Sequence, residues 1–554
     1  MQQPDPASVP RPDALSNPNF FWRNNKPHIL LLSLLILFLA AFLIRVWGLS
    51  YFHYWDEMAY LQDAKVICCG KTNYSELPFR PPLLSLFFAA AFLIRDHIFS
   101  ACIATAALNA LAPVLLFLSG RRIVGPLPSA LASLLLAFGQ FFVGVFPPGF
   151  DSDDTGNSLL TDSPALTLIL LGLWLMLKAL RNQRTWRFML AGFALSLAVL
   201  MRFGSVPSVG FLCLLPLAAR QRWKALTATA AGFIAGLAPY LLWSRFTYGG
   251  FFETIRDGWT HVEGPAPPFT FYLSNAPVIF SWTGIVGLLL AASAGLVALA
   301  DLMLTKRNQT APRELSASPR VLKAFLWIWL IAGFLFFSRM PHKEPRYILP
   351  LAPPLLLLSG SGLALLCCLS GKPSPQALYQ VPDQEPSQET LLSTEAQRSR
   401  QTRLINVNAH RLQPIGILLV IAGMVLALLP SRSRFNGPFL LPNHPEEMDA
   451  SQFLESLYPP TTPLYMNFNY PAFAYFTHFK IKELPIGGPA LYRAIENIPA
   501  GSLLIAYRHN ESGDPKVEVL HRDRNLEPVK EYQSFVIYRH LQNPGETSLK
   551  PASR

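Results

Sequence analysis

Carboxylates beside a membrane helix are costly to keep, yet Asp56 and Glu57 stand directly after the first long apolar segment of this chain. Such a group can take a proton from a hydroxyl as that hydroxyl attacks an electrophile. Its natural counterpart is a cationic group that holds an anion, phosphate above all. The chain carries several: Arg80 in Phe79-Arg80-Pro81-Pro82, Arg202 at the end of an apolar run, and His342, Lys343 and Arg346, followed by Tyr347, between two further runs. Asp162, in Thr161-Asp162-Ser163-Pro164, opens another run behind the acidic loop Asp151-Ser152-Asp153-Asp154.

Each group also has a plain structural account. Asp162 suits a helix N-terminus, where the macrodipole favours an anion. Arg202 and the basic residues at 342–346 suit a snorkelling role at a membrane interface. The three aspartates of 151–154 fit a solvated loop; Asp153-Asp154 has the ligand type for a divalent metal, but not a spacing that specifies a site.

The elements that must position these residues are apolar helices. In 554 residues, 51% are hydrophobic and 14% charged, and the mean hydropathy is +0.30. That is too apolar for one soluble core. Runs near the roughly 20 residues needed to span hydrocarbon fall at His28–Leu49, Ala101–Gly120, Pro126–Phe146, Pro164–Leu180, Phe188–Met201, Ser205–Ala219, Ala225–Trp243, Ala276–Leu304, Val321–Phe337, Ile348–Gly371 and Ile415–Leu429. Pro81–Ile94 is apolar but shorter, and reads as a segment lying along the membrane. The first run lacks a small-residue cleavage site and is kept as a helix. The six cysteines, with vicinal pairs at Cys68-Cys69 and Cys367-Cys368, offer neither a disulfide framework nor metal-ligand spacing, and read as packing residues.

With the short segment not spanning, the clusters Arg11/Arg23/Lys26, Arg121/Arg122, 178–187, 220–224, 306–323 and 372–411 share one side, the cytosolic one by the positive-inside rule. The net charge of +12 is then topological bias and contact with anionic lipid, and no nucleic acid is expected. The expected organisation is a cytosolic tail at 1–27, a membrane domain at 28–431 with an external loop at 50–100 and a cytosolic disordered linker at 372–413, and an external α/β domain at 432–554. In that domain a helix opens near His444, and strands are expected at Pro463–Met466, Ser502–Tyr507, Val517–Leu520 and Gln533–Tyr538.

Asp56, Glu57, Arg80, Asp162, Arg202 and the 342–347 group thereby converge on one external face. A cationic cluster on that side runs against the charge bias, as an anion-binding site would. A carboxylate beside it suits glycosyl transfer from a lipid-linked phosphate sugar, with Lys or Arg stabilising the departing phosphate.

At these residues the chain resembles the membrane-embedded GT-C glycosyltransferases, particularly the bacterial branch related to protein O-mannosyltransferases and the aminoarabinose–lipid A transferase. The resemblance runs through Asp56-Glu57 with Tyr60 and Ala64, Arg80-Pro81-Pro82-Leu83, Thr161-Asp162-Ser163-Pro164, and Lys343, Arg346-Tyr347 and Pro350, in order over about residues 45–360. The His342-Lys343-Glu344-x-Arg346 form is similar to lipid-linked mannosyltransferases.

The resemblance implies an all-α polytopic GT-C fold of about eleven transmembrane helices with the small α/β domain appended. It implies an inverting transferase that moves a sugar from a polyprenyl-phosphate donor to a lipid, glycan or protein hydroxyl, on the outer face of a bacterial inner membrane. Asp56 would be the base, Glu57 an organiser of the acceptor site and Asp162 the second carboxylate. Arg80, Arg202, Lys343 and Arg346, with His342 and Tyr347, would bind the donor phosphate. No cofactor is specified, no nucleotide-binding fold is required, and a divalent metal is left open. The rival from another class is a flippase or transporter, which should carry internal repeats and charges within its spans; here the charges sit at helix ends.

Overall fold

The computed structural model describes residues 26–47, 55–77, 80–139, 160–260, 267–276, 279, 284–293, 319–368, 445–485, 488–508, 520–521, 523 and 525–541. The expected helix at 415–429, the linker at 372–413, the strand at 517–520 apart from Leu520, and the loop carrying Asp151, Asp153 and Asp154 lie outside the described residues.

The membrane part is helical: α1 (Lys26–Trp47), α2 (Trp55–Cys69), α3 (Pro82–Ile94), α4 (Ile98–Ile123), α5 (Pro126–Phe138), α6 (Asp162–Asn182), α7 (Thr185–Met201), α8 (Val206–Leu214), α9 (Arg222–Tyr248), α10 (Glu253–Thr260), α11 (Phe271–Ser274), α12 (Gly284–Ser293), α13 (Pro319–Arg339) and α14 (Ala352–Cys368). Six described helices are long and apolar enough to cross a membrane, and five more are apolar but shorter. This is an integral membrane protein.

Burial divides the helices by task. On α1, Leu31, Leu32, Ile36 and Leu43 are exposed, as on a helix facing lipid. On α6 nearly every residue from Asp162 to Leu170 is buried, as at the centre of a bundle. Helix α3 is 13 residues long, about 20 Å at 1.5 Å per residue, against roughly 30 Å of hydrocarbon. It buries Leu84, Phe88 and Phe92 and exposes Leu86, Leu93 and Ile94.

Small residues set how closely helices approach. A β-carbon on Gly192 of α7 would collide with the Thr229 carbonyl of α9, and one on Gly232 with the Met189 carbonyl. Gly236 meets Ser196 in the same way. Gly232 and Gly236 form the G-x-x-x-G spacing that lets membrane helices touch backbone to backbone. Two expected helices are interrupted. The run at 205–219 is broken into 3-10 turns at Phe203–Ser205 and Leu215–Ala218 around α8, and the run from 348 begins as the 3-10 stretch Pro345–Leu351. Pro216 and Pro350 each remove a backbone donor at those places.

The C-terminal part has α15 (Pro445–Leu457), β1 (Leu464–Met466), α16 (Tyr470–Phe476), β2 (Ile481–Glu483), α17 (Gly488–Glu496), β3 (Leu503–Tyr507), β4 (Leu526–Glu531) and β5 (Phe535–His540). The five strands lie in the order β2-β1-β3-β5-β4, parallel across β2, β1 and β3 and antiparallel beyond. Strand β3 is buried throughout, because Leu503, Ile505 and Tyr507 join the core under α15 and α16 while Leu504 and Ala506 join the core under α17. Strands β2 and β4 have no counterpart among the expected strands; Ile481-Lys482-Glu483 is three residues of a mostly exposed edge, and β4 contains Pro528.

One cysteine expectation is corrected. Cys68 and Cys69 are disulfide-bonded to each other, as neighbours at the end of α2 beside Gly70, whose φ of 67° turns the chain out of the helix. Among the described residues, Cys102 and Cys213 are free.

Candidate active site

Helix α2 carries Asp56 and Glu57 in its first turn, where carboxylates are favoured by the macrodipole. Successive residues on a helix diverge by roughly 100°, and the two separate accordingly. Glu57 is buried, while Asp56 meets two guanidinium groups brought from distant positions. Arg80 Nη2 lies 2.9 Å from one carboxylate oxygen and Arg346 Nη2 3.1 Å from the other. Burial favours the neutral form of Asp56, but the two arginines outweigh it and hold the carboxyl well below the usual range.

Both arginines are themselves held. Arg80 pairs with Glu76 and lies over the Tyr60 ring at 5.2 Å. Arg346 pairs with Glu344. Glu344 also accepts from the Tyr347 hydroxyl at 3.0 Å and lies 2.8 Å from His342 Nε2. Burial would raise its pKa, but His342 and Arg346 bring it down to about 2.

A second ion pair closes the group. Asp162 opens α6 and Arg202 caps the C-terminal end of α7, so each charge opposes the dipole of its own helix, and the antiparallel helices bring them together. Arg202 Nη1 donates to Asp162 at 2.6 Å and to the Thr161 hydroxyl at 3.2 Å. Its guanidinium lies 4.7 Å from the centre of the Tyr347 ring, which Arg346 approaches at 5.9 Å. Pro164 fits the first turn because its missing N–H would have no helical partner.

The structure therefore brings Asp56, Arg80, Arg202, Asp162, Arg346, Tyr347 and His342 into one linked group. Lys343 stands differently: it is buried and donates to the Pro267 carbonyl at 2.6 Å. Glu57, the next residue along α2, is buried. The carboxylates also differ in access, since 34% of the Asp56 side chain is exposed but none of the Asp162 side chain.

Three further residues belong to the group although no role was assigned to them from the sequence. Glu76 and Glu344 clamp the two arginines of Asp56. Asp63, fully buried, accepts from Ser75 Oγ at 2.8 Å and from the Glu76 amide at 2.9 Å. Glu344 lies inside the His342–Tyr347 motif and Glu76 four residues before Arg80; only that proximity could have pointed to them. Among the described residues, no three His, Cys, Asp or Glu side chains gather as metal ligands would.

Comparison with known proteins gives this arrangement its context. The family model of dolichyl-phosphate-mannose-protein mannosyltransferases matches residues 79–243. ArnT from Cupriavidus metallidurans, solved with undecaprenyl phosphate bound, superposes with a TM-score of 0.56 over 93% of this chain and 99% of that one, at 15% identity. The chain has the GT-C fold. Apo ArnT superposes equally well, at 14% identity over 91% of this chain and 97% of that one. The mycobacterial arabinofuranosyltransferase AftD shares the GT-C fold at a TM-score of 0.50 and 14% identity, over 92% of this chain and 40% of that one. No curated protein matches the chain.

Proposed function

We propose that this protein is an inverting glycosyltransferase that moves a sugar from a polyprenyl-phosphate donor to a hydroxyl acceptor on the non-cytosolic face of a bacterial inner membrane. The observation that carries the reading is the placement of one accessible carboxylate, Asp56, between Arg80 and Arg346. The family match at 79–243 and the undecaprenyl phosphate in ArnT support a lipid-linked phosphate donor.

In this reading, Arg80 and Arg346, with Arg202, His342 and Tyr347 linked to them, receive the donor phosphate, and Lys343, three residues before Arg346, is read as a further phosphate ligand. The acceptor oxygen attacks the anomeric carbon opposite the phosphate. The carbon–oxygen bond to phosphate breaks, its electron pair leaves with the phosphate, and the acceptor proton passes to Asp56. Configuration inverts because a single displacement takes place.

The two arginines explain how a weakly basic carboxylate can serve. Without ligand they depress its proton affinity. A donor phosphate draws part of their charge to itself, so Asp56 becomes a stronger base only when the donor is in place. Asp162 is closed to solvent and acts through Arg202; Glu57 is assigned to the acceptor side.

The test is transfer from radiolabelled polyprenyl-phosphate sugars in membrane extract by purified wild type and Asp56→Asn, which keeps the shape and loses the base. The expected loss is roughly 10²–10⁴-fold. Equal transfer by the two proteins refutes the assignment, and substrate movement without a glycosidic product points to a transporter.

A further inference from the structure

The residue before Asp56 packs against a different structural unit. Trp55 packs edge-on against Phe468 and Tyr470 of the C-terminal domain, with ring centroids 5.3 and 4.9 Å away. Its indole N–H donates to Glu76 Oε1 at 2.9 Å. Tyr74, also against Tyr470, donates to the same oxygen at 2.8 Å. The other oxygen of Glu76 holds Arg80, and Arg80 holds Asp56. The side chains form a closed ring, Trp55 to Glu76 to Arg80 to Asp56, whose ends are sequence neighbours.

We infer that Glu76 is a positioning residue through which docking of the C-terminal domain sets Arg80 for the donor phosphate. This rests on the reading of Arg80 as a phosphate ligand.

Three observations argue for it. First, a carboxylate has two oxygens, and Glu76 divides them: Oε1 receives the two donors packed on the C-terminal domain, Oε2 the arginine of the site. A flexible arginine with one partner swings; one tethered at both Nε and Nη2 has a fixed plane. Second, the backbone under Glu76 is held independently, by its own amide on buried Asp63 and by the Arg80 amide on the Glu76 carbonyl at 3.1 Å. Third, the same loop is bound to the domain again at Asn73, three residues before Glu76. Asn73 Nδ2 donates to the Ala474 and Thr477 carbonyls at 2.9 and 2.8 Å, and the Ile481 amide donates to the Asn73 carbonyl at 3.3 Å. The contact is thus specific in register, and a shift of the domain reaches Glu76 through the rings of Trp55 and Tyr74 that bond it and pack on Tyr470.

The test uses the full-length protein in lipid nanodiscs. Hydrogen exchange is followed over 74–84 in wild type, Trp55→Phe, which keeps a ring against the domain but loses the donor, and Tyr470→Ala. Both variants should exchange severalfold faster at this segment, with 166–180 unchanged. Binding of undecaprenyl phosphate is then measured for Glu76→Gln in the wild-type and Arg80→Ala backgrounds. The expected loss is about tenfold with Arg80 present, the scale of one charged hydrogen bond, and less than about twofold without it, because the interaction is then already gone. Unchanged exchange over 74–84, or an equal loss in both backgrounds, overturns the inference. Wild type that binds no undecaprenyl phosphate overturns the donor reading instead, and the exchange result alone then decides whether the domain positions this loop.

Discussion

Asp56 and Asp63 lie seven residues apart on one helix, yet their surroundings push them in opposite directions. Asp56 faces two arginines and stays ionised. Asp63 faces a hydroxyl and an amide, and burial dominates, raising its pKa to about 7 despite those hydrogen bonds. The folded protein therefore holds a proton on Asp63 that the unfolded chain, with a carboxyl near pKa 3.9, has released. The stabilisation is complete below the unfolded pKa and is lost as pH rises through the folded one. Stability in detergent should fall between about pH 4 and pH 7 on this account, and Asp63→Asn should flatten that slope; thermal unfolding across the range checks it. An unaltered slope in the variant would assign the dependence elsewhere.

Helices α7 and α9 show what the elements contribute. Arg202 reaches Asp162 only because α7 ends level with the start of α6, and α7 is braced from behind by α9 through Gly192, Gly232 and Gly236. Without apolar driving force between helices in lipid, such backbone contact is a main source of association. Gly232→Val should push the helices apart and cost about 1–3 kcal/mol, read as a lower unfolding temperature, with binding of undecaprenyl phosphate weakened as Arg202 moves. Alanine at Gly210, where a β-carbon meets nothing within 4 Å, should leave both unchanged. The G-x-x-x-G spacing takes its meaning from the helix it meets, which the linear pattern does not name. The broken helices at 203–218 and 345–351 were not expected, because hydropathy registers apolar residues and is blind to a missing N–H at Pro216 or Pro350.

At the scale of the whole molecule, charged groups among the described residues collect at the two ends of the bundle. Asp56, Asp162, Arg202 and Arg346 gather at one end of the bundle. At the other, Arg121, Arg122 and Arg187 lie near enough to Lys178 to repel its charge, and Gln183 accepts from the Arg220 amide. The C-terminal sheet domain rests on the Asp56 end through Asn73 and Trp55, so loop 70–77 and that domain share one side of any membrane. Single cysteines at exposed positions test this. His97→Cys and Gln452→Cys should react with an impermeant thiol reagent from the same side of sealed vesicles, and Arg184→Cys from the opposite side. Labelling of all three from one side would refute the arrangement.

The linear sequence already showed that apolar helices carry this chain, where most of them begin, and which charged residues avoid their interiors, since length and hydropathy decide what can lie in hydrocarbon. It also singled out Asp56, Arg80, Asp162, Arg202 and Arg346 by their position at helix ends. Tertiary structure alone decided the pairing. Asp56 could have matched Lys343 or Arg202 as well as Arg80 and Arg346, and nothing in a linear pattern separates them. Glu57 could not be told from Asp56 until the helix turned one toward the arginines and buried the other. Glu76 and Glu344 acquire their significance only in three dimensions, because the partner that makes a carboxylate a clamp lies where the chain returns, and packing rather than spacing brings it there.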